Sequence, residues 1–350
     1  MTSRMRFVLE RSALLAVGLL ISGCAGLHSS ESALNPTGPQ AGRLLNVYLL
    51  SLGVSVVVWI GVLLFLAGAL LRKRSDKPTI DTPPELKPDH AAERRMGVTV
   101  SVLVGITAII LTVLMITEFV AAKNMHQFSE TNDYLNIKIT ARQWWWRAEY
   151  LDPIASNTIT TANEIHIPVG QKICFELNSA DVIHSFWVPN LHGKKDAVPG
   201  HPTTLWLQAD QPGTYWGECA EYCGFEHAQM RLVIKAEPKE QYDAWCAAQR
   251  QAAPEPTTPS QIRGKEVFLS STCVMCHTMG GTMAFGRIGP NLSHVGSRSI
   301  IAAGALEHTR ENMLKWISHP QQVKPGSNMP EVYLSEEDRA ALVDYLESRQ

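Results

Sequence analysis

Much of the chain's chemistry lies in one short stretch, Cys219-Ala-Glu-Tyr-Cys223-Gly-Phe-Glu-His227-Ala-Gln-Met230. Two cysteines four apart, a histidine four further on and a methionine three beyond that form a dense set of soft ligands. Thiolate and thioether select copper, and imidazole suits it too. Zinc draws on Cys and His sets and has no use for a thioether. So compact a loop cannot easily carry a second histidine to the far side of a metal, so another should come from upstream. His184, in Asp181-Val-Ile-His184-Ser-Phe-Trp, is the natural candidate. Two bridging thiolates with one histidine per metal would hold a pair of coppers, with Met230 as a weak axial ligand. Such a cage suits electron transfer, because little has to move when the charge changes. The competing reading is a Cys219–Cys223 disulfide beside an unrelated His and Met.

A second set follows at Cys273-Val-Met-Cys276-His277. Cys-x-x-Cys-His is the attachment motif of c-type haem: two thiols form thioethers with the vinyl groups and the adjacent His becomes an axial ligand. A redox Cys-x-x-Cys is the bland alternative, and the following His argues against it. Met275, Met279 and Met283 are too close in sequence to reach the other haem face easily, and Met313 falls in a helical pattern with Trp316 and Ile317.

Over residues from about 40 to 235 the chain resembles subunit II of the haem–copper cytochrome c oxidases. The resemblance implies a dinuclear copper (CuA) centre on His184, Cys219, Cys223, His227, Met230 and the backbone carbonyl of Glu221. It also implies magnesium at the Glu221 carboxylate, on the contact with subunit I. Asp181, Lys195 and Asp196 match positions near that contact and are read as scaffold and docking charges. In Gln143-Trp-Trp-Trp146 the family places its electron-entry residue, which receives electrons from cytochrome c, at Trp144, on the surface above the copper site. It usually has tyrosine where this chain has Trp145; core packing or interface anchoring is expected of Trp145 and Trp146. Residues 261–348 resemble small class I cytochromes c. That resemblance makes Met329 the distal haem ligand and the Pro290 carbonyl the acceptor for His277.

Together the two resemblances imply a caa-type oxidase. Electrons would pass from a cytochrome c or other periplasmic donor through haem c and CuA to subunit I, where O2 is reduced to water with proton pumping. Subunits I and III and membrane lipid are the implied partners. The electron-input subunit of a nitric oxide reductase and a membrane-anchored copper carrier are the alternatives. The attached haem argues against the carrier. A quinol-oxidase subunit is disfavoured because those relatives have lost the copper ligands present here.

These sites must be carried by a membrane-anchored, multidomain chain. Among 350 residues, 31 basic and 33 acidic side chains nearly balance, so there is no nucleic-acid footprint. Val47–Leu71 and Met96–Thr117 are uncharged runs of 25 and 22 residues, longer than the roughly 20 needed to cross a bilayer. Arg72-Lys-Arg74 and Arg94-Arg95 flank their inner ends and orient a hairpin with a cytoplasmic loop. Residues 1–24 read as a signal peptide ending in Ile21-Ser-Gly-Cys24. Its ending resembles a lipobox, with an ordinary signal and a chance Cys24 as the alternative. Both readings start the chain, from about 25, outside the cytoplasmic (inner) membrane of a bacterial cell. Glu93 matches a family proton-path entrance, or is a solvated charge at a helix start.

From about 123 to 240, strands expected at Asn136–Thr140, Glu164–Val169, Lys172–Leu177, Thr204–Gln208 and Met230–Ile234 suggest a Greek-key sandwich or barrel. The resemblance makes it cupredoxin-like, with the copper loop between the last two strands. His166, His192 and His201 are expected as exposed loop histidines. Cys174 and Cys246 are either buried free thiols or a disulfide pair. The fold expected is a two-helix transmembrane hairpin (25–122, spans about 47–71 and 96–119), an all-β cupredoxin-like Greek-key domain (123–240), a Pro-rich linker (241–260) and an all-α cytochrome c domain (261–350).

Overall fold

A computed structural model describes residues 29–71, 90–127 and 133–350. The signal segment, Cys24 and the loop with Arg72 and Arg74 lie outside the described residues. Residues 43–71 with 90–127 form one compact unit, and residues 29–42 with 133–350 form another.

The first unit consists of helix α1 (Pro39–Leu71, its first turn belonging to the other unit) and helix α2 (His90–Gln127). Both are long and apolar enough to cross a membrane. A membrane interior offers no water to satisfy polar groups, and the hydroxyls meet that need locally. Thr99, Thr107, Thr112 and Thr117 each donate to the carbonyl four residues back. Arg43 donates to the Asn124 carbonyl at 2.9 Å and so ties the start of α1 to the end of α2. Glu93 sits in the first turn of α2, exposed and 3.5 Å from His90.

The second unit begins with a β-sandwich. One sheet runs in the order β3-β2-β1-β5-β8, with β1 Leu135–Arg142, β2 Trp145–Tyr150, β3 Ile159–Ala162, β5 Ile173–Ser179 and β8 Thr203–Leu207. The other runs β4-β10-β9-β6-β7, with β4 Glu164–Pro168, β6 His184–Trp187, β7 Lys195–Ala197, β9 Gly213–Cys219 and β10 Arg231–Glu237. The β1–β5 and β4–β10 pairs are parallel, whereas β6–β9 and β9–β10 are antiparallel. Successive strand residues face opposite sides, so Ile137, Ile139 and Ala141 turn inward from β1, and Trp146, Ala148 and Tyr150 from β2. That alternation separates the tryptophans. Trp146 is fully buried, edge-on to Phe186 at 5.4 Å, while Trp145 lies on the other face under the Arg147 guanidinium.

Helix α3 (Lys239–Arg250) extends the sandwich and buries Tyr242 and Cys246 in its core. The stretch from 241 to 250, expected as linker, is therefore helix. Trp245 of α3 stacks on His166 at 4.3 Å and 9°. This contact covers the second face of β4, whose residues are all buried. His166 is accordingly not an exposed loop histidine: it lies between Glu164 (3.2 Å) and Glu237 (2.9 Å). His201 is exposed and His192 half-buried. Cys174 and Cys246 are both free thiols.

After a short connection comes the helical C-terminal domain, with α4 (Pro259–Ser270), the turn α5 (Cys273–Cys276), α6 (Arg310–Ser318), α7 (Pro320–Val323) and α8 (Glu336–Glu347). Thr258 and Gln261 close a capping box on α4, and Ser335 caps α8 through the Asp338 N–H. Helices α4 and α8 cross at Gly264, where a β-carbon would lie 2.0 Å from the Ala341 carbonyl oxygen. The Arg349 guanidinium donates to the Pro254 carbonyl at 2.8 Å, so the connecting segment is held against the domain it precedes.

Gly264→Val should therefore overpack this crossing at a cost of about 1–3 kcal/mol and lower the domain's thermal midpoint by several degrees. An unchanged midpoint in thermal unfolding would contradict the crossing geometry.

Candidate metal centre

The site forms where β6 meets β9. Their antiparallel pairing sets Phe186 opposite Cys219 and leaves His184 beside the strand end. The loop that leaves β9 is closed by backbone bonds. Ala220 N–H donates to the Ser185 carbonyl at 2.9 Å, and Cys219 N–H to the Met230 carbonyl at 3.1 Å. Gly224 lets the loop turn with φ +117°; a β-carbon there would lie 2.9 Å from Gln143 Nε2 and 3.1 Å from the Trp144 ring.

All six residues named from the sequence come together. Cys219 Sγ lies 3.7 Å from Cys223 Sγ, 3.9 Å from His184 Nδ1 and 3.2 Å from the Glu221 carbonyl oxygen. Cys223 Sγ lies 3.6 Å from His227 Nδ1 and 3.9 Å from Met230 Sδ. His184, Cys219, Cys223 and Met230 are buried, and His227 is half-buried beside Tyr222. The side chain of Glu221 turns away to the surface, 3.6 Å from Lys194.

Electrostatics tune this donor set. A hydrogen bond from Cys223 and others from His184 and the backbone, acting against burial, pull the Cys219 thiol down to about 3. Cys223 is pushed up, first by that same bond and then by burial. A thiol biased toward ionisation with a second sulfur beside it is the donor chemistry a soft cation requires. His184 feels burial most strongly, yet its bonds with Cys219 and Asp181 raise its pKa on balance. Asp181 Oδ1 lies 2.8 Å from His184 Nε2, and its other oxygen accepts the Gln143 N–H at 2.7 Å. Such a carboxylate fixes the ring and its tautomer. Asp181, read from the sequence only as a scaffold or docking charge, thus acts directly on a candidate ligand.

The second candidate site is a cavity of about 580 Å³ whose lining includes Cys273, Cys276, His277 and Met329. His277 Nδ1 is 2.8 Å from the Pro290 carbonyl, which can only accept, so the proton sits on Nδ1 and Nε2 keeps its lone pair. Burial also lowers the His277 pKa and favours this neutral form. A β-carbon at Gly289 would lie 2.6 Å from the imidazole, so only glycine leaves the ring its place. Gln321 Nε2 donates to the Met329 carbonyl at 2.9 Å and steadies the facing segment. A covalent haem fits this donor set and volume.

Trp144 joins the two sites. Its indole N–H donates to the Cys223 carbonyl at 3.1 Å, alongside Gln143 Nε2 at 2.7 Å, and its ring lines the 580 Å³ cavity. It is half-buried rather than lying on a free surface, because the C-terminal domain covers it. Gln143 was not read as a site residue from the sequence. Its place beside Trp144 was the only signal.

Residues 151–237 match the family model "Cytochrome C oxidase subunit II, periplasmic domain", and residues 261–350 match "Cytochrome c". Cytochrome c oxidase subunit 2 of Alkalihalophilus pseudofirmus is 38% identical over 332 residues, covering 94% of each chain. The same-named protein of Bacillus sp. PS3 is 33% identical, covering 95% of this chain and 94% of its own. Quinol oxidase subunit 2 of Bacillus anthracis is 30% identical, covering 69% of this chain and 80% of its own. Among solved structures, the periplasmic domain of subunit II of cytochrome oxidase of Bradyrhizobium japonicum is 29% identical, with TM-score 0.32, covering 34% of this chain and 96% of that one. With its membrane helices, cupredoxin-like sandwich and fused C-terminal cytochrome c domain, the chain belongs to the cytochrome c oxidase subunit 2 family and is an oxidase subunit.

Proposed function

We propose that this chain is the electron-entry subunit of a caa-type oxidase in a bacterial cell membrane, with the sandwich and cytochrome domains on the outer side. In this reading it accepts electrons from a cytochrome c or other periplasmic donor and hands them to subunit I. Oxygen is reduced to water there with proton pumping, and subunit III and membrane lipid complete the surroundings. When bound, a dinuclear copper centre and a covalent haem c supply one-electron redox chemistry. His184, Cys219, Cys223, His227, Met230 and the Glu221 carbonyl would hold the coppers. Cys273, Cys276, His277 and Met329 would hold the haem.

The observation that carries this reading is the buried pair of sulfurs 3.7 Å apart with one imidazole Nδ1 near each, at 3.9 and 3.6 Å. A tetrahedral zinc site would leave the methionine without a role. The chain's own residues keep such a site rigid. Asp181 orients His184, and Pro290 orients His277. Trp146 packs against Phe186 and His184 and excludes water behind the loop. Trp144, bonded to the Cys223 carbonyl and lining the haem cavity, is the residue of electron entry to the copper site. In this reading the part-exposed Glu221 carboxylate, 3.6 Å from Lys194, would take magnesium where subunit I docks.

Metal analysis and electron paramagnetic resonance of the purified native complex should give two coppers sharing one unpaired electron in this subunit, and one covalent haem. A single-copper signal, or haem without copper, would contradict the reading. Cys223→Ser is expected to abolish the shared-copper signal while leaving the haem absorbance intact. Met329→His should keep the covalent haem and lower its reduction potential, since a methionine ligand raises it. An unchanged potential in redox titration would exclude Met329 as the distal ligand. Oxygen uptake without nitric oxide uptake by the complex separates an oxidase from a nitric oxide reductase.

A further inference from the structure

A flexible tether would leave the cytochrome domain free to swing, but its contacts with the sandwich are specific and buried. Lys324 is 3% exposed, and its ammonium donates to the carbonyls of Trp144 at 2.7 Å and Gln229 at 2.8 Å, both in the sandwich. A third carbonyl, that of Ala302, lies at 3.4 Å within its own domain. Burying a cation is costly unless its protons find acceptors, so these carbonyls hold Lys324 only while the two domains are in contact. On the other side, the buried Glu164 of β4 accepts from the Ser299 N–H at 2.7 Å and from its hydroxyl at 2.5 Å. Arg147 of β2 donates to the Arg287 carbonyl at 2.6 Å.

The backbone between these points is strained in the same cause. Ala302, Ala303 and Gly304 are consecutive left-handed residues, at φ 51°, 57° and 77°. Alanines rarely adopt this conformation, and such strain persists only where the surroundings enforce it. Here the surroundings are the sandwich: a β-carbon on Gly304 would lie 2.9 Å from Arg231 Cβ and 3.3 Å from the Trp216 ring. Lys324 also stands five residues before Met329 and lines the same cavity as Trp144, His277 and Met329. It therefore connects the segment facing the proximal histidine with the backbone of the electron-entry residue.

We propose that Lys324 is a positioning residue that locks the cytochrome domain onto the sandwich at Trp144, so that haem-to-copper transfer runs within a fixed docked pair rather than through a swinging encounter. The transfer part rests on the copper-and-haem reading above; the docking part does not. Each transfer would move one electron from a reduced haem held by Cys273, Cys276, His277 and Met329 to coppers held by Cys219 and Cys223, with no proton or bond exchanged.

The test uses the full chain in its native complex, with Lys324→Met, which keeps the side chain's bulk and removes its donors. Copper and haem spectra are recorded first, and their absence from the unmodified complex would count against the preceding reading rather than against docking. Amide exchange at residues 142–146, 299–304 and 324–329 should rise about tenfold or more, the scale of losing charged hydrogen bonds, while β5 and β8 keep their protection. The haem-to-copper rate, followed by rapid photoreduction, should fall by a similar factor with both spectra unchanged. Exchange within about twofold of the unmodified complex would overturn the lock, and an unchanged rate despite faster exchange would overturn the positioning role. If Lys324→Met does not assemble, Gly304→Val, which drives a branched side chain into Arg231 and Trp216, is judged by the same two readouts. In the unmodified complex the rate should be indifferent to added sucrose; a fall in proportion to viscosity would mean that the domain must move, and would also overturn the proposal.

Discussion

Two cysteine sulfurs held 3.7 Å apart in a buried site cannot both carry negative charge without a cation between them. Much of the sandwich answers to that constraint. The β6–β9 pairing brings His184 to Cys219, and a loop closed by two backbone bonds brings Cys223, His227 and Met230 to the other side. Asp181 stabilises the raised His184, and Gln143 and Trp144 both spend their donors on the Cys223 carbonyl. Remove the need for a cation and this concentration of buried polar groups has no physical rationale. In the proposed reading, each group would either donate to the cation or fix one that does.

The same loop is the place where the C-terminal domain attaches. The carbonyl of Gln229, one residue before Met230, and that of Trp144 are the acceptors of Lys324 in the sandwich. Interdomain contact and site geometry are thus coupled through two adjoining pieces of backbone. Fusion of domains usually acts by raising effective concentration. Here the connection from α3 to α4 is short, with Ala253 buried and Pro254 held by Arg349, which suits a docked domain better than a mobile one.

What the sequence made legible follows from how local each signal is. The candidate ligand sets Cys219 to Met230 and Cys273 to His277 each lie within one loop or turn, so spacing alone points to them. The five expected strands recur within a few residues of their observed bounds, because apolar alternation and short apolar runs both mark strands. His166 was misjudged because Trp245 of a later helix covers the outer face of β4, which alternation cannot reveal. The same helix occupies 241–250, the first half of the expected linker, whereas the linker composition belongs to 251–260. Lys324 is a single lysine in a Pro- and Gly-containing loop; its role depends on carbonyls contributed from residues 144 and 229. Long-range polar partners of this kind leave no periodic trace.

The most direct test of the account is an experimental structure of the loaded native complex at a resolution that places side chains. The account predicts copper density between Cys219 and Cys223, haem between His277 and Met329, and the Trp144 indole bonded to the Cys223 carbonyl with Lys324 beneath its backbone. A cytochrome domain found away from Trp144, or a Cys219–Cys223 pair closed as a disulfide without metal, would contradict it.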